Sequence, residues 1–311
     1  MSNSFLMQIS KRVLVFDGAM GTEIQKLNPR IEDFPNNKEG FNDGLVLTRP
    51  DWIEKIHKSY LDAGADCVET NTFGSNKIKL MEYGFEDKTI ELNRISAQLA
   101  SKISSEYDDK PRFVVGSMGP TGFLPSSNDP DLGNVSADTI IEAYDLQAQG
   151  LIAGNVDVLL IETSQDILEV KLAIMGCLNA INKSGKVIPI IANITLDKYG
   201  KMLLGTDVQS AYTTVCDMGI SSFGLNCSTG PVEMGSSIRW LDDQRELPIL
   251  VMPNAGMPIN DAGIAIYKMA ASEMAKEMKS YLDRYKNIRM IGGCCGTTPN
   301  HIRELIKIVD V

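Results

Sequence analysis

Two cysteines stand side by side in the stretch Ile291-Gly292-Gly293-Cys294-Cys295-Gly296-Thr297-Thr298-Pro299. Neighbouring residues of a strand point to opposite faces, so two adjacent thiols reach one partner only where the backbone leaves strand geometry. The flanking glycines permit such a turn. Thr298 reads as a helix N-cap and Pro299 as the first helical residue, and a helix N-terminus beside the thiols favours thiolate. A third cysteine, Cys227, ends a separate apolar run. If the fold brings it to the pair, three thiolates form an incomplete tetrahedron for Zn²⁺ with the open position of a catalytic site. The spacing alone also allows a redox couple or a packing accident beside a glycine turn, because no compact zinc-finger spacing occurs.

Other polar residues sit at the ends of apolar runs: Asp17, Glu69, Asn71, Glu162, Thr195, Asn226 and Asn254. Asp17 and Glu162 are candidate site carboxylates, or else ordinary strand-end residues. Cys67, Cys177 and Cys216 read as small core hydrophobes. His57 and His301 read as ordinary surface or helix-end histidines.

The elements that must position these residues follow a simple rhythm. Eight short, near-continuous apolar runs (12–16, 66–71, 112–117, 156–161, 187–193, 220–226, 248–252 and 288–292) alternate with helical patterns. Such runs suit strands buried on both faces of a parallel sheet. Leu92, Ile95, Leu99 and Ile103 form one helical stripe; Ile266, Ala270, Met274, Met278 and Leu282 form another; Ile302, Leu305, Ile306 and Val309 form a third. Eight strand-then-helix units predict a single (β/α)₈ TIM barrel over residues 1–311, with a doubly wound open sheet as the alternative. Strand-to-helix loops are long at 17–49, 118–135 and 253–263, which is where such barrels build their sites. On this fold Cys227 stands two strands from Cys294 and Cys295, with Asn254 between them. The polar insert around Asn28–Gly44 is open to two uses, as a partner surface or as a lid over the mouth.

The bulk numbers exclude several classes. A chain of 311 residues with 43% hydrophobic and 23% charged residues buries a sizeable core. The formal charge of −10 and the lack of a basic stripe argue against nucleic acid and against an anionic membrane surface. No apolar run approaches the ~20 residues that span a bilayer. The first nine residues are too short and polar for a secretory signal, which places the chain in the cytoplasm. The six scattered cysteines are unlike a disulfide framework. In a reducing compartment a functional cluster of cysteines is metal-binding or catalytic more often than structural.

At its chemistry-bearing residues the sequence resembles the homocysteine S-methyltransferase family, and most of all the N-terminal homocysteine-binding barrel of cobalamin-dependent methionine synthases. The likeness is carried by Phe16-Asp17-Gly18-Ala19-Met20-Gly21-Thr22, Glu69-Thr70-Asn71-Thr72-Phe73, Ile161-Glu162-Thr163, Phe223-Gly224-Leu225-Asn226-Cys227, Pro253-Asn254-Ala255-Gly256 and the vicinal-cysteine motif. It runs from about Val13 to the C-terminus. The resemblance implies that Cys227, Cys294 and Cys295 hold one zinc ion and that homocysteine binds with its sulfur on the metal. It implies that Asp17 and Glu162 hold the substrate amino group. The backbone amides of Gly18 and Ala19 would receive its carboxylate.

The chemistry agrees with the parts. A free thiol, with a pKa of about 8.5, is mostly protonated at neutral pH, whereas a thiol on Zn²⁺ is deprotonated outright. Three thiolate ligands weaken the ion as a Lewis acid and keep a fourth thiolate nucleophilic. Water activation is better served by histidine and carboxylate ligands. Two carboxylates suit an α-ammonium group. Asn254, between the cysteine-bearing strands, is expected either to ligate zinc until homocysteine arrives or to be a turn residue.

The donor is not written in these motifs. The likeness to methionine synthase suggests methylcobalamin carried by a separate corrinoid protein or by a domain outside this chain, which ends after its eighth helix. A small donor such as S-methylmethionine or betaine is the alternative. A zinc hydrolase and a non-catalytic thiol-binding barrel are the rivals from other classes.

Overall fold

The structure is a computed structural model and describes residues 4–261 and 264–309. Met1–Asn3, at the polar N-terminus, and Gly263, which closes the loop 253–263, lie outside the described residues. The apolar runs form strands β1 (Leu14–Val15), β2 (Cys67–Glu69), β3 (Phe113–Met118), β4 (Val158–Ser164), β5 (Ile190–Ile194), β6 (Ser222–Asn226) and β7 (Ile249–Met252). A two-stranded antiparallel hairpin, β8 (Ile259–Asp261) and β9 (Ile264–Ile266), precedes the last barrel strand, β10 (Ile288–Ile291). The eight-stranded sheet runs β1-β10-β7-β6-β5-β4-β3-β2, all parallel. A parallel bridge between Phe16 and Cys67 joins its two edges and closes the TIM barrel.

Alternation along the strands divides the core into two layers. Phe16, Cys67, Phe113, Val115, Val158, Leu160, Ile191, Leu250, Met252 and Met290 pack inside the barrel. The intervening strand residues pack against the helices outside. The helix Ser4–Lys11 closes the lower end, where Phe5 meets the Phe113 ring edge-on at 5.4 Å between centroids. Burying an aromatic ring there stabilises the fold by about 2–3 kcal/mol relative to an exposed one. Buried Asp66, at the same end, is gripped by Arg12 at 2.8 Å and Lys110 at 2.7 Å.

The hairpin corrects one expectation. Ile266 and Ala270 fit a four-residue helical spacing, yet Ile266 lies in β9 and the helix is Ala271–Arg284. Only Met274, Met278 and Leu282 of that stripe are helical. The stripe of the helix Thr89–Ser104 and that of the helix Pro299–Val309 match the elements observed. His57 departs from its reading as well, being fully buried in the helix Pro50–Asp62. His301 is a helix-end residue as expected, its Nδ1 accepting the Thr298 amide at 3.2 Å.

A thiol and carboxylate site at the barrel mouth

The three cysteines converge. The Sγ atoms of Cys227, Cys294 and Cys295 all lie within 4.8 Å of one another, and Cys227 and Cys295 are 3.8 Å apart. Backbone pairing across three adjacent strands places them. The Cys227 amide donates to Met252 O at 3.2 Å, the Cys294 amide to Pro253 O at 2.8 Å and the Ala255 amide to Cys295 O at 2.9 Å. Gly296, at φ 76°, takes the left-handed turn that lets adjacent thiols face one point, while Cys227 itself is forced to φ 62°.

This set fits zinc. Thiolates about 2.3 Å from a tetrahedral ion stand about 3.8 Å apart, the separation of Cys227 and Cys295. The thiols also oppose one another's ionisation. Cys294 is pushed up by Cys227 and Cys295, whereas Cys295 is drawn down to about 3 by hydrogen bonds from Cys227 and Cys294. Tyr267, just after β9, adds a further hydrogen bond to Cys295. A divalent cation removes this competition by stabilising every thiolate at once. Asn254, 1% exposed, sits in the loop paired with the cysteine backbone, and its Oδ1 is buried with no hydrogen-bond partner among the described residues.

Beside the thiols stands a group of buried acids. Glu69 on β2 and Glu162 on β4 follow inward-facing Cys67 and Leu160 by two residues, so alternation turns both toward the barrel axis. Asp17 follows β1, and its Oδ2 accepts the Glu69 amide at 3.0 Å while its Oδ1 is buried with no partner among the described residues. Burial raises Asp17 and Glu69; the charge of Glu162 adds to both and that of Asp17 adds to Glu69, while the Glu69 amide bond holds Asp17 back. Burial also raises Glu162 to about 7, against the hydrogen bond from Ser117.

A cavity of about 260 Å³ joins these groups. Its wall includes Gly18, Ala19, Glu69, Glu162 and all three cysteines, and among the described residues that line it none is a lysine or arginine. Asn42 and Asp43 of the polar insert also line it. Phe41 anchors the insert by stacking on Tyr83, with 4.4 Å between centroids, and Asn42 O accepts Asn71 Nδ2 at 2.9 Å. Burial raises Asp43 to about 6, although Ser75 Oγ donates to it at 3.0 Å. A cavity so rich in buried acids and thiols attracts cations.

Two further contacts position the walls. Thr297 Oγ1 accepts the Ala19 amide at 3.2 Å and donates to Cys294 O at 2.6 Å. Asn226, fully buried on β6, holds Thr163 from both sides: its Oδ1 accepts the Thr163 amide and its Nδ2 donates to Thr163 Oγ1, each at 2.8 Å. Thr163 is at φ 58°, a conformation that costs a β-branched residue about 1–2 kcal/mol.

The structure therefore gathers Cys227, Cys294, Cys295, Gly18, Ala19 and Glu162 around one cavity. It sets Asp17 against the Glu69 amide at the edge of that group and Asn254 beside the cysteine loop. Sequence reasoning noted Glu69 and Asn226 only as strand-end residues and did not single out Asp43, Ser117, Tyr267 or Thr297. The signal for Glu69 was present, as an acid two residues after an inward apolar residue.

Comparison with known proteins agrees with this geometry. Residues 14–309 match the family model described as Homocysteine S-methyltransferase. The chain is 41% identical over 303 residues to a methionine synthase of Mycobacterium tuberculosis and 40% identical to that of Mycobacterium leprae. It covers 97% of itself in each case but only 25% and 24% of those proteins, so it spans about a quarter of their length. Among solved structures, the oxidized form of the homocysteine methyltransferase MmuM from Escherichia coli superposes with a TM-score of 0.78, at 22% identity, over 98% of this chain and 99% of that one. Its metallated form gives 0.74 at 21% identity, over 95% and 96%. These likenesses support the barrel; the sequence match over nearly the whole chain shows that it belongs to the homocysteine S-methyltransferase family.

Proposed function

We propose that this chain is a homocysteine-binding barrel, one domain over residues 1–311, that presents the thiol of L-homocysteine for methylation to methionine. The carrying observation is a single cavity that sets three convergent thiols beside buried carboxylates, with no lysine or arginine among the described residues of its wall. Such a wall selects a ligand with a cationic end and a metal-seeking end, and an amino-acid thiol has both.

Cys227, Cys294 and Cys295 would hold zinc, with Asn254 Oδ1 as a further donor in the absence of substrate. Bound zinc supplies the positive charge that keeps a coordinating thiol deprotonated at neutral pH. Glu162 and Asp17, joined by Glu69, hold the α-ammonium group through charge-assisted hydrogen bonds. An arriving ammonium also stabilises the ionised carboxylates that burial disfavours. The Gly18 and Ala19 backbone takes the substrate carboxylate; the Ala19 amide would then be shared with Thr297 Oγ1. Asn226 Nδ2 lies 3.0 Å from Glu162 Oε2 and 3.9 Å from Cys294 Sγ, so the two ends of the site are close enough for a ligand with two methylenes between Cα and sulfur.

For the donor we propose a methyl-corrinoid on another domain or protein, supported by the 41% identity to methionine synthase. The free thiols suit a reducing, cytoplasmic location. Among the described residues no helix is long and apolar enough to cross a membrane. The test mixes the zinc-loaded protein and homocysteine with methylcobalamin, S-methylmethionine or betaine and measures methionine. Methionine from methylcobalamin alone is the expected result. Methionine from a small donor overturns the donor assignment, and no methionine from any donor, with no homocysteine bound, overturns the reading.

A further inference from the structure

We infer that Asn226 is a positioning residue that couples recognition of the substrate ammonium to the state of the thiol cage. The inference rests on the proposed function of this site. The Asn226 side chain, 0% exposed, touches every part at issue. Its Nδ2 lies 3.0 Å from Glu162 Oε2, 2.8 Å from Thr163 Oγ1 and 3.9 Å from Cys294 Sγ. Its Oδ1 accepts the Thr163 amide at 2.8 Å. The Asn226 carbonyl accepts Thr195 Oγ1 at 2.7 Å, and Cys227 is the next residue in the chain.

One amide nitrogen therefore faces three acceptors with two protons. A thiolate and a carboxylate both attract an N–H more strongly than a neutral hydroxyl does. Charge on Cys294 and charge on Glu162 thus draw on the same donor. Filling the cage and filling the ammonium site each change what Asn226 offers the other. Thr163 follows Glu162 directly and is held in a left-handed conformation by Asn226, which fixes the angle at which β4 ends. A residue that merely clamped Thr163 would make the same two Thr163 bonds without any contact to the acid or the sulfur.

The test separates these roles. Thr163→Gly adopts φ 58° without strain and needs no clamp. Asn226→Ala is made alone and in the Thr163→Gly background, and each protein is loaded with Co²⁺ as a spectroscopic substitute for zinc. Homocysteine and 4-mercaptobutyrate, which lacks only the α-amino group, are titrated into each by calorimetry. The expected result is that Asn226→Ala/Thr163→Gly binds homocysteine at least about tenfold more weakly than Thr163→Gly. Its affinity for 4-mercaptobutyrate changes less than about twofold, and its thiolate-to-cobalt charge-transfer band is displaced. Equal homocysteine affinity in the double variant and in Thr163→Gly overturns the inference, as does an equal loss for both ligands. Failure of the unaltered protein to bind cobalt and homocysteine refutes the functional reading instead, so the two failures are told apart by that one control.

Discussion

The hydroxyl of Thr297 accepts the amide of Ala19, 278 positions away in the chain, at 3.2 Å. The same hydroxyl donates to Cys294 O, so it fastens the first strand-to-helix loop to the last, across the seam of the barrel. Thr297→Val keeps the shape and removes both bonds. Each buried hydrogen bond contributes about 1 kcal/mol, so a loss of about 2 kcal/mol in stability is expected. Denaturant unfolding measures this, and calorimetry is expected to show weaker homocysteine binding. Unchanged affinity would show that the two loops need no fastening.

Asp43 gives a pH-dependent prediction. Its carboxyl is raised from 3.8 to about 6 by burial, so the folded chain takes up its proton more readily than the unfolded chain does. Its presence therefore costs stability increasingly as pH rises from 3.8 through 6, by up to about 3 kcal/mol above pH 6. Asp43→Asn is expected to raise the Tm of the ligand-free protein at pH 7.5 and to leave it nearly unchanged at pH 4. A Tm gain equal at both values would rule out the buried charge as its source.

His57 acts in the opposite direction. Burial lowers it from 6.5 to about 4, and both ring nitrogens are buried with no partner among the described residues. The unfolded chain is protonated first, so stability falls as pH drops from 6.5 through 4, again by up to about 3 kcal/mol. The two effects offset each other across that window. We expect Asp43→Asn to steepen acid destabilisation and His57→Phe to reduce it, as followed by circular dichroism from pH 7 to 4.

Metal removal is the most direct check of the cage. One zinc per chain is expected by elemental analysis. Chelation should add three reactive thiols to a titration with a disulfide reagent, matching Cys227, Cys294 and Cys295. With free zinc at a thousand times its Kd, loading stabilises the fold by about 4 kcal/mol, which appears as a metal-dependent Tm. Cys295→Ser should abolish that dependence.

The barrel strands were legible because a strand buried on both faces leaves a nearly unbroken apolar run. The cysteine convergence was legible only through the fold, since Cys227 after β6 and the Cys294–Cys295 pair after β10 are distant in the chain and meet because β6, β7 and β10 stand side by side in the barrel. The β8–β9 hairpin was hidden because Ile266 and Ala270 happen to continue the four-residue spacing of Met274 and Met278. Asp43 was hidden for another reason. Its loop has no periodicity, and its direction is set by Phe41 stacking on Tyr83, a contact between distant parts of the sequence. His57 was misjudged because a helix with Ile53, Ile56, Tyr60 and Leu61 all buried leaves its neighbour inside too. Thr297 and Asn226 carry side chains common in turns, and nothing local distinguishes a turn residue from one bridging two loops.

The helix Ser4–Lys11, with Phe5 seated in the floor of the barrel, gives the molecule a blind end. A tether or fused carrier joined through that segment would leave from the side opposite the cysteines. Immobilised that way, the protein would keep its opening turned to solution, which suits capture of small thiols on a surface or attachment of a methyl-carrying module by its other end.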